Sequence, residues 1–219
     1  MSQTFKVEWE NVRASISVPD GDPLGPALAL GKFYEIDLLT ALVPYLRGGT
    51  ILDVGGHIGN HSAFFAHFGP VMAFEPDPRC AIHWIQTIMG SALPNTTSLV
   101  PHAAGATHLA RHRNASLLPT GRSMYQEASE GQFLGTTIDH AAQGVARIDV
   151  IKMDIEGGEL EALAGAGETL RRTRPLLAVE CKSLDQRNAV ATLLAPLGYE
   201  IGRRYARTPT YLFHPVALR

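Results

Sequence analysis

From Thr50 to Glu180 the chain alternates short apolar runs with stretches of helical period, and this alternation constrains the fold more than any other feature. Runs so continuously apolar have no wet face. They belong to parallel strands covered on both sides, with a helix crossing over between each pair. The pattern predicts strands near residues 50 to 54, 71 to 75, 97 to 101, 148 to 153 and 175 to 180. Helices are predicted near residues 59 to 68, 78 to 91, 158 to 172 and 185 to 195. Glu200-Ile201-Gly202-Arg203-Arg204 and Pro209-Thr210-Tyr211-Leu212-Phe213, with a short turn between, predict an antiparallel pair that finishes the sheet. The expected architecture is α/β and Rossmann-like: a seven-stranded, mostly parallel sheet with an antiparallel C-terminal strand pair. Ligands of such sheets sit outside the carboxyl ends of the strands.

Upstream, Phe5-Lys6-Val7-Glu8-Trp9 and Arg13-Ala14-Ser15-Ile16-Ser17-Val18 alternate around Glu10-Asn11, which predicts a small N-terminal β-hairpin, a lid or flank. Asp20-Gly21-Asp22-Pro23-Leu24-Gly25-Pro26 reads as a loop. Residues 1–30 then form the hairpin and loop, and residues 31–219 the main domain. Phe33, Ile36, Leu39, Leu42, Val43 and Leu46 predict an amphipathic helix over residues 32 to 46, ended by Gly48-Gly49. Leu109-Ala110-Arg111-His112-Arg113 and Phe133-Leu134-Gly135-Thr136-Thr137-Ile138 look extended. The polar, Gly/Ser-rich residues 114 to 131 between them read as a mobile cover over the ligand edge.

A length of 219 residues with 45% hydrophobic content supplies one sizeable core. The net charge of −2 gives no reason to expect nucleic acid or an anionic membrane. Arg171, Arg172 and Arg174 fall at a predicted helix end, where cations complement the dipole. Cys80 and Cys181 have neither metal-ligand spacing nor a disulfide framework and read as core residues. No signal peptide or membrane-length apolar run is visible, which implies a cytoplasmic location.

Chemistry concentrates in two segments. Ile51-Leu52-Asp53-Val54-Gly55-Gly56-His57-Ile58-Gly59-Asn60 ends a strand in a Gly-rich turn, and 22 positions after Asp53 comes Glu75 at the tip of the next strand. An acid there accepts hydrogen bonds from two ribose hydroxyls. The spacing of Gly55, Gly56 and Gly59 is not the G-x-G-x-x-G of a dinucleotide site; it is the pattern of S-adenosylmethionine sites, whose amino-acid tail replaces phosphates. The second segment, Ile151-Lys152-Met153-Asp154-Ile155-Glu156-Gly157-Gly158-Glu159, gathers three carboxylates at the same sheet edge, with Lys152 on the face of Asp154. Glu159 reads equally as a complement to a helix N-terminus.

These segments resemble the FkbM family of S-adenosylmethionine-dependent methyltransferases. Besides the two motifs, the resemblance rests on Phe74-Glu75-Pro76-Asp77, Gly31-Lys32-Phe33-Tyr34-Glu35, Ala103-Ala104-Gly105, Thr136-Thr137-Ile138-Asp139, Leu163-Ala164-Gly165-Ala166 and Arg174-Pro175. Gly56-His57 departs from the Ala-Asn frequent in the family. The resemblance implies a class I methyltransferase fold and S-adenosylmethionine as cofactor. It implies that Asp53, Gly55 and the amides from Ile58 through Gly59 to Asn60 hold the methionine end, that Glu75 takes the ribose, and that Pro76, Asp77, His102 and Ala103 border the adenine. Glu35 is placed to reach the cofactor's ammonium, or else is a solvated helix acid; His57 also belongs to the cofactor set.

Methyl transfer asks the protein to align an acceptor and to ease loss of its proton. Asp154, Glu156 and Lys152 are the catalytic candidates, with His57, His61, His102 and His140 as further bases. A metal is not favoured, although Asp154 and Glu180, at neighbouring strand ends, offer oxygen ligands to Mg²⁺. The expected activity is O-methylation of a hydroxyl on a small molecule, sugar or secondary metabolite. N-methylation, a non-catalytic nucleoside-binding module and an NAD(P) oxidoreductase are the alternatives.

Overall fold

The computed structural model describes residues 2–114, 125–128 and 130–216. Strands β1 (Ser2–Trp9) and β2 (Val12–Pro19) form the N-terminal hairpin. Helices α1 (Gly25–Leu28) and α2 (Ile36–Leu42) lead to β3 (Thr50–Val54), α3 (Asn60–Phe65), β4 (Val71–Phe74), α4 (Pro78–Gly90) and β5 (Thr97–Val100). The short strands β6 (Ala103–Ala104), β7 (Arg111–Asn114), β8 (Tyr125–Glu127) and β9 (Phe133–Thr136) follow, with α5 (Ile138–Ala141). The chain finishes with β10 (Ile148–Met153), α6 (Glu159–Ala164), α7 (Gly167–Thr173), β11 (Leu176–Glu180), α8 (Leu184–Leu194), β12 (Tyr199–Tyr205) and β13 (Thr210–Pro215).

The main sheet runs β12-β13-β11-β10-β3-β4-β5, and all neighbours from β11 to β5 are parallel. β13 lies antiparallel between β11 and β12, as the close spacing of the last two runs predicts. Alternation sends Ile51, Val150, Leu176, Ala178 and Leu212 to one apolar cluster and Leu52, Ile151, Leu177, Val179 and Phe213 to the other. Both faces of the central strands are therefore dry. At about 1.5 to 3 kcal/mol per fully buried large side chain, these two layers fix the sheet, and with it the strand tips that carry the site.

The hairpin is the flank of its two readings, not the lid, and two helix expectations need correction. Val7, Val12, Ile16 and Val18 are buried in the first cluster, and Ser17 N donates to Thr87 Oγ1 of α4 at 2.9 Å. The helix predicted from residue 32 begins only at Ile36, because Glu35 sits in the left-handed region at φ 54°; Phe33 still reaches the core, edge-on to Phe64. The helix predicted over residues 158 to 172 breaks at Gly165, where a β-carbon would stand 2.1 Å from the Gly105 carbonyl oxygen. Asp139 restarts it by accepting from Glu168 N and Thr169 N.

Between β5 and β10, β6 pairs with β9, β9 with β7 and β7 with β8 in a second small sheet. Most of the expected mobile cover falls outside the described residues. Arg172 and Arg174 spend their guanidinium groups on the carbonyls of Ala142, Val145, Leu197, Gly198 and Val216. Cys80 and Cys181 are buried free thiols. No helix among the described residues is long and apolar enough to cross a membrane.

Candidate functional site

The carboxyl ends of β3, β4, β10 and β11 meet at a cleft of about 890 Å³, counted to its open mouth. Its shape starts with one glycine. Gly55 takes φ 89°, and a β-carbon there would lie 1.9 Å from the Asp154 carbonyl oxygen, so only glycine lets the β3 loop close onto the end of β10. Gly55 N and Gly56 N both donate to Phe74 O, and Gly59, at φ 88°, turns the chain into α3.

Under this loop lies an ion pair. Asp53 and Lys152 are register partners on β3 and β10; Lys152 Nζ stands 3.1 Å from Asp53 Oδ1 and donates to Gly55 O at 3.0 Å. Asp53 Oδ2 accepts from Ser62 Oγ, whose oxygen in turn accepts from Trp84 Nε1. Burial alone would lower the Lys152 pKa, but Asp53 and Asp154 outweigh it and hold the ammonium above its ordinary range. Fully buried, Asp53 supports the loop from below instead of lining the cleft.

Glu75 tips β4 and lines the cleft, nearly buried at 7% exposure. Oε2 accepts from His57 N and Oε1 from Asp77 N, both at 2.9 Å. Burial raises its pKa, while His57 and these amides pull the other way. A carboxylate has about four lone-pair sites, so two backbone donors leave it capacity for two more hydroxyls. His57 Nε2 stands 3.2 Å from Asp22 Oδ2, which ties the post-hairpin loop to the glycine loop. Burial works against the imidazolium, yet Asp22 raises the His57 pKa above its ordinary value.

Across the cleft, Glu156 sits at φ 61° and is ion-paired with Lys182. Glu159 holds that turn from beneath, Oε1 accepting from Ile155 N and Gly157 N and Oε2 from Gln186 Nε2. Glu159 thus holds the backbone that leads into α6 and does not line the cleft. Glu180, 4% exposed, stands beside Asp154, and burial, then the Asp154 charge, pushes its pKa up to about 9. Among the described residues no three His, Cys, Asp or Glu side chains form a group able to hold a metal ion.

Of the residues singled out from sequence, Glu35, Gly55, His57, Asn60, Glu75, Pro76, Lys152, Asp154, Glu156 and Glu180 line the cleft. Asp77 instead caps α4 and pairs with Arg79, Asn60 spends its amide on the Tyr34 backbone, and His102 and Ala103 lie outside the lining. His108 and His140 stack at 3.7 Å, also outside it. His61 lines the cleft 3.6 Å from Glu35; burial, then the charge of Lys152, drops its pKa to about 4, so it is neutral. Leu24 and Thr208 also line the cleft, and nothing in their local sequence marks them for it; Tyr34, beside them, lies in the Gly31 to Glu35 motif next to Glu35.

Residues 53–201, more than half of the chain, match the sequence model of the Methyltransferase FkbM domain. A crystal structure of methyltransferase FkbM from Methylobacillus flagellatus KT aligns with a TM-score of 0.51 and 22% identity, over 76% of this chain and 43% of that one. The chain therefore spans less than half the length of that relative. The T. thermophilus 16S rRNA N2 G1207 methyltransferase, in complex with AdoMet and guanosine, aligns with a TM-score of 0.55 and 16% identity over 98% of this chain and 50% of its own. Precorrin 8w decarboxylase from Methanobacterium thermoautotrophicum gives 0.52 and 15% over 83% and 90%. No curated protein sequence matches significantly. At such identities the structural likenesses speak for the fold alone.

Proposed function

Because the chain belongs to the FkbM family of methyltransferases, we propose that its cleft holds S-adenosylmethionine and that it methylates a hydroxyl of a small molecule, sugar or secondary metabolite. The observation that carries the cofactor assignment is Glu75: a nearly buried carboxylate at the tip of the second strand, braced by two backbone amides, facing a cleft with acceptor capacity for a ribose diol. The complex of the T. thermophilus 16S rRNA methyltransferase with AdoMet agrees with it. When bound, the cofactor supplies a sulfonium-activated methyl group.

The chain's own residues then divide the work. Gly55 and Gly56 let their loop close onto the end of β10 and onto Ala73 and Trp84, and Lys152 anchors that loop through the Gly55 carbonyl. Glu35 and Asp154, both lining the cleft, supply negative charge toward the amino-acid tail and the sulfonium. Asp154 is the base toward the acceptor, at the end of a strand rigidly seated between β3 and β11. Thermal-shift measurements with S-adenosylhomocysteine, S-adenosylmethionine, NAD and NADP test the assignment. Stabilisation by the first two alone is expected, whereas stabilisation by a dinucleotide alone would replace this reading with an oxidoreductase.

A further inference from the structure

Four carboxylates at this end of the sheet meet a donor or a cation. Glu75 has two backbone amides, Asp53 has Ser62 and Lys152, Glu156 has Lys182, and Asp22 has Leu24 N and His57. Glu35 lies against His61. Glu180 stands apart from these four. It is 4% exposed, lines the cleft, and its Oε2 is buried with no hydrogen-bond partner among the described residues. Its neighbour is another acid, since Met153 and Val179 are register partners and the next residues, Asp154 and Glu180, stand side by side at the strand tips. Neither nearby ammonium is available to it: Lys152 serves Asp53 and the Gly55 carbonyl, and Lys182 serves Glu156.

We propose that Asp154 and Glu180 form a proton-sharing carboxyl pair that binds the acceptor's hydroxyl and takes up its proton during methyl transfer. This deepens, and rests on, the methyltransferase reading above. Two carboxyl groups side by side, one buried and one half-buried, resist carrying two negative charges, so one proton is held between them. The raised pKa of Glu180, from burial and then from Asp154 and Glu156, agrees with that placement. A pair with one proton and one negative charge both donates and accepts, as an alcohol or phenol does. An ammonium ion offers only donors, and it would expel the shared proton on binding.

The transfer balances on these groups. The acceptor's O–H bond breaks as its oxygen bonds the methyl carbon, and the electron pair of the methyl–sulfur bond stays on sulfur. The released proton enters the pair, which then holds two protons and no charge, and passes to water after the product leaves.

Infrared difference spectroscopy of the full chain, wild type against Glu180→Gln, tests the pair directly through the carbonyl stretch of a protonated carboxyl. The band is expected at pH 7, with a midpoint above the ordinary carboxyl range, and Asp154→Asn should lower that midpoint by about one unit or more. No band at pH 7, or an unmoved midpoint in Asp154→Asn, overturns proton sharing. With S-adenosylhomocysteine present, phenols, polyols and primary amines are then added in turn, and a hydroxyl compound is expected to shift the band. If only amines alter it, the hydroxyl assignment fails; if nothing does, the acceptor role fails. Absence of S-adenosylhomocysteine binding in calorimetry would fail the cofactor reading separately, leaving the carboxyl band to be judged on its own.

Discussion

The two halves of the cleft are built on opposite principles. On the β3 and β4 side, the two strand carboxylates are braced before any ligand arrives: Glu75 rests on two amides, and Asp53 on Lys152 and Ser62. On the β10 and β11 side, Glu180 has a buried oxygen without a hydrogen-bond partner among the described residues, beside another acid. A braced half suits a ligand whose recognition geometry stays constant, because little reorganisation is needed to bind it. An unsatisfied half stores a cost that a reacting group relieves, which suits proton transfer. The contrast assigns cofactor holding to one side and chemistry to the other.

The contrast breaks most visibly at its foundation. Lys152→Met leaves Asp53 buried without its cation, and should cost about 3 to 5 kcal/mol in urea unfolding. A loss below about 1 kcal/mol would mean that the loop does not depend on the pair. Asp154→Asn keeps the shape and removes the charge. It should lower turnover of whichever acceptor the wild type methylates by about 10²-fold, with S-adenosylhomocysteine affinity within about twofold. A matched fall in cofactor affinity would erase the division between the halves.

Much of this arrangement is legible in the sequence. The central strands announce themselves because both faces are dry, and the glycines and acids at their tips sit at fixed register once the strands are placed. What the sequence conceals is local competition. Nothing in the apolar spacing of residues 32 to 46 signals that Glu35 adopts a left-handed conformation, and Gly165 breaks a helix only because Gly105 approaches it from another element. Asp77 looks like a ligand residue in sequence, yet its side chain caps α4. The Asp22–His57 contact joins a loop that reads as a connector to a turn far along the chain.

That contact gives the smallest predicted effect and sharpens the picture of the braced half. His57 has a folded pKa raised above 6.5, so its contribution is fully present below 6.5 and is lost as pH rises through the folded value. Asp22 has a folded pKa lowered below 3.8, so its contribution is present above 3.8 and is lost as pH falls through the folded value. The pair therefore stabilises between those folded values. Asp22→Asn should cost about 0.5 to 1 kcal/mol near pH 6 and flatten the decline above it in unfolding measurements. An unchanged pH profile would show that the loop is held by packing alone.

The central claim is that Glu75 marks a preformed cofactor site, and calorimetric titration of S-adenosylhomocysteine into wild type and Glu75→Gln tests it most directly. The account predicts saturable binding to the wild type and a loss of about 1 to 3 kcal/mol, roughly tenfold or more in affinity, in the variant. Equal affinity in the two proteins, or no binding to the wild type, would contradict it.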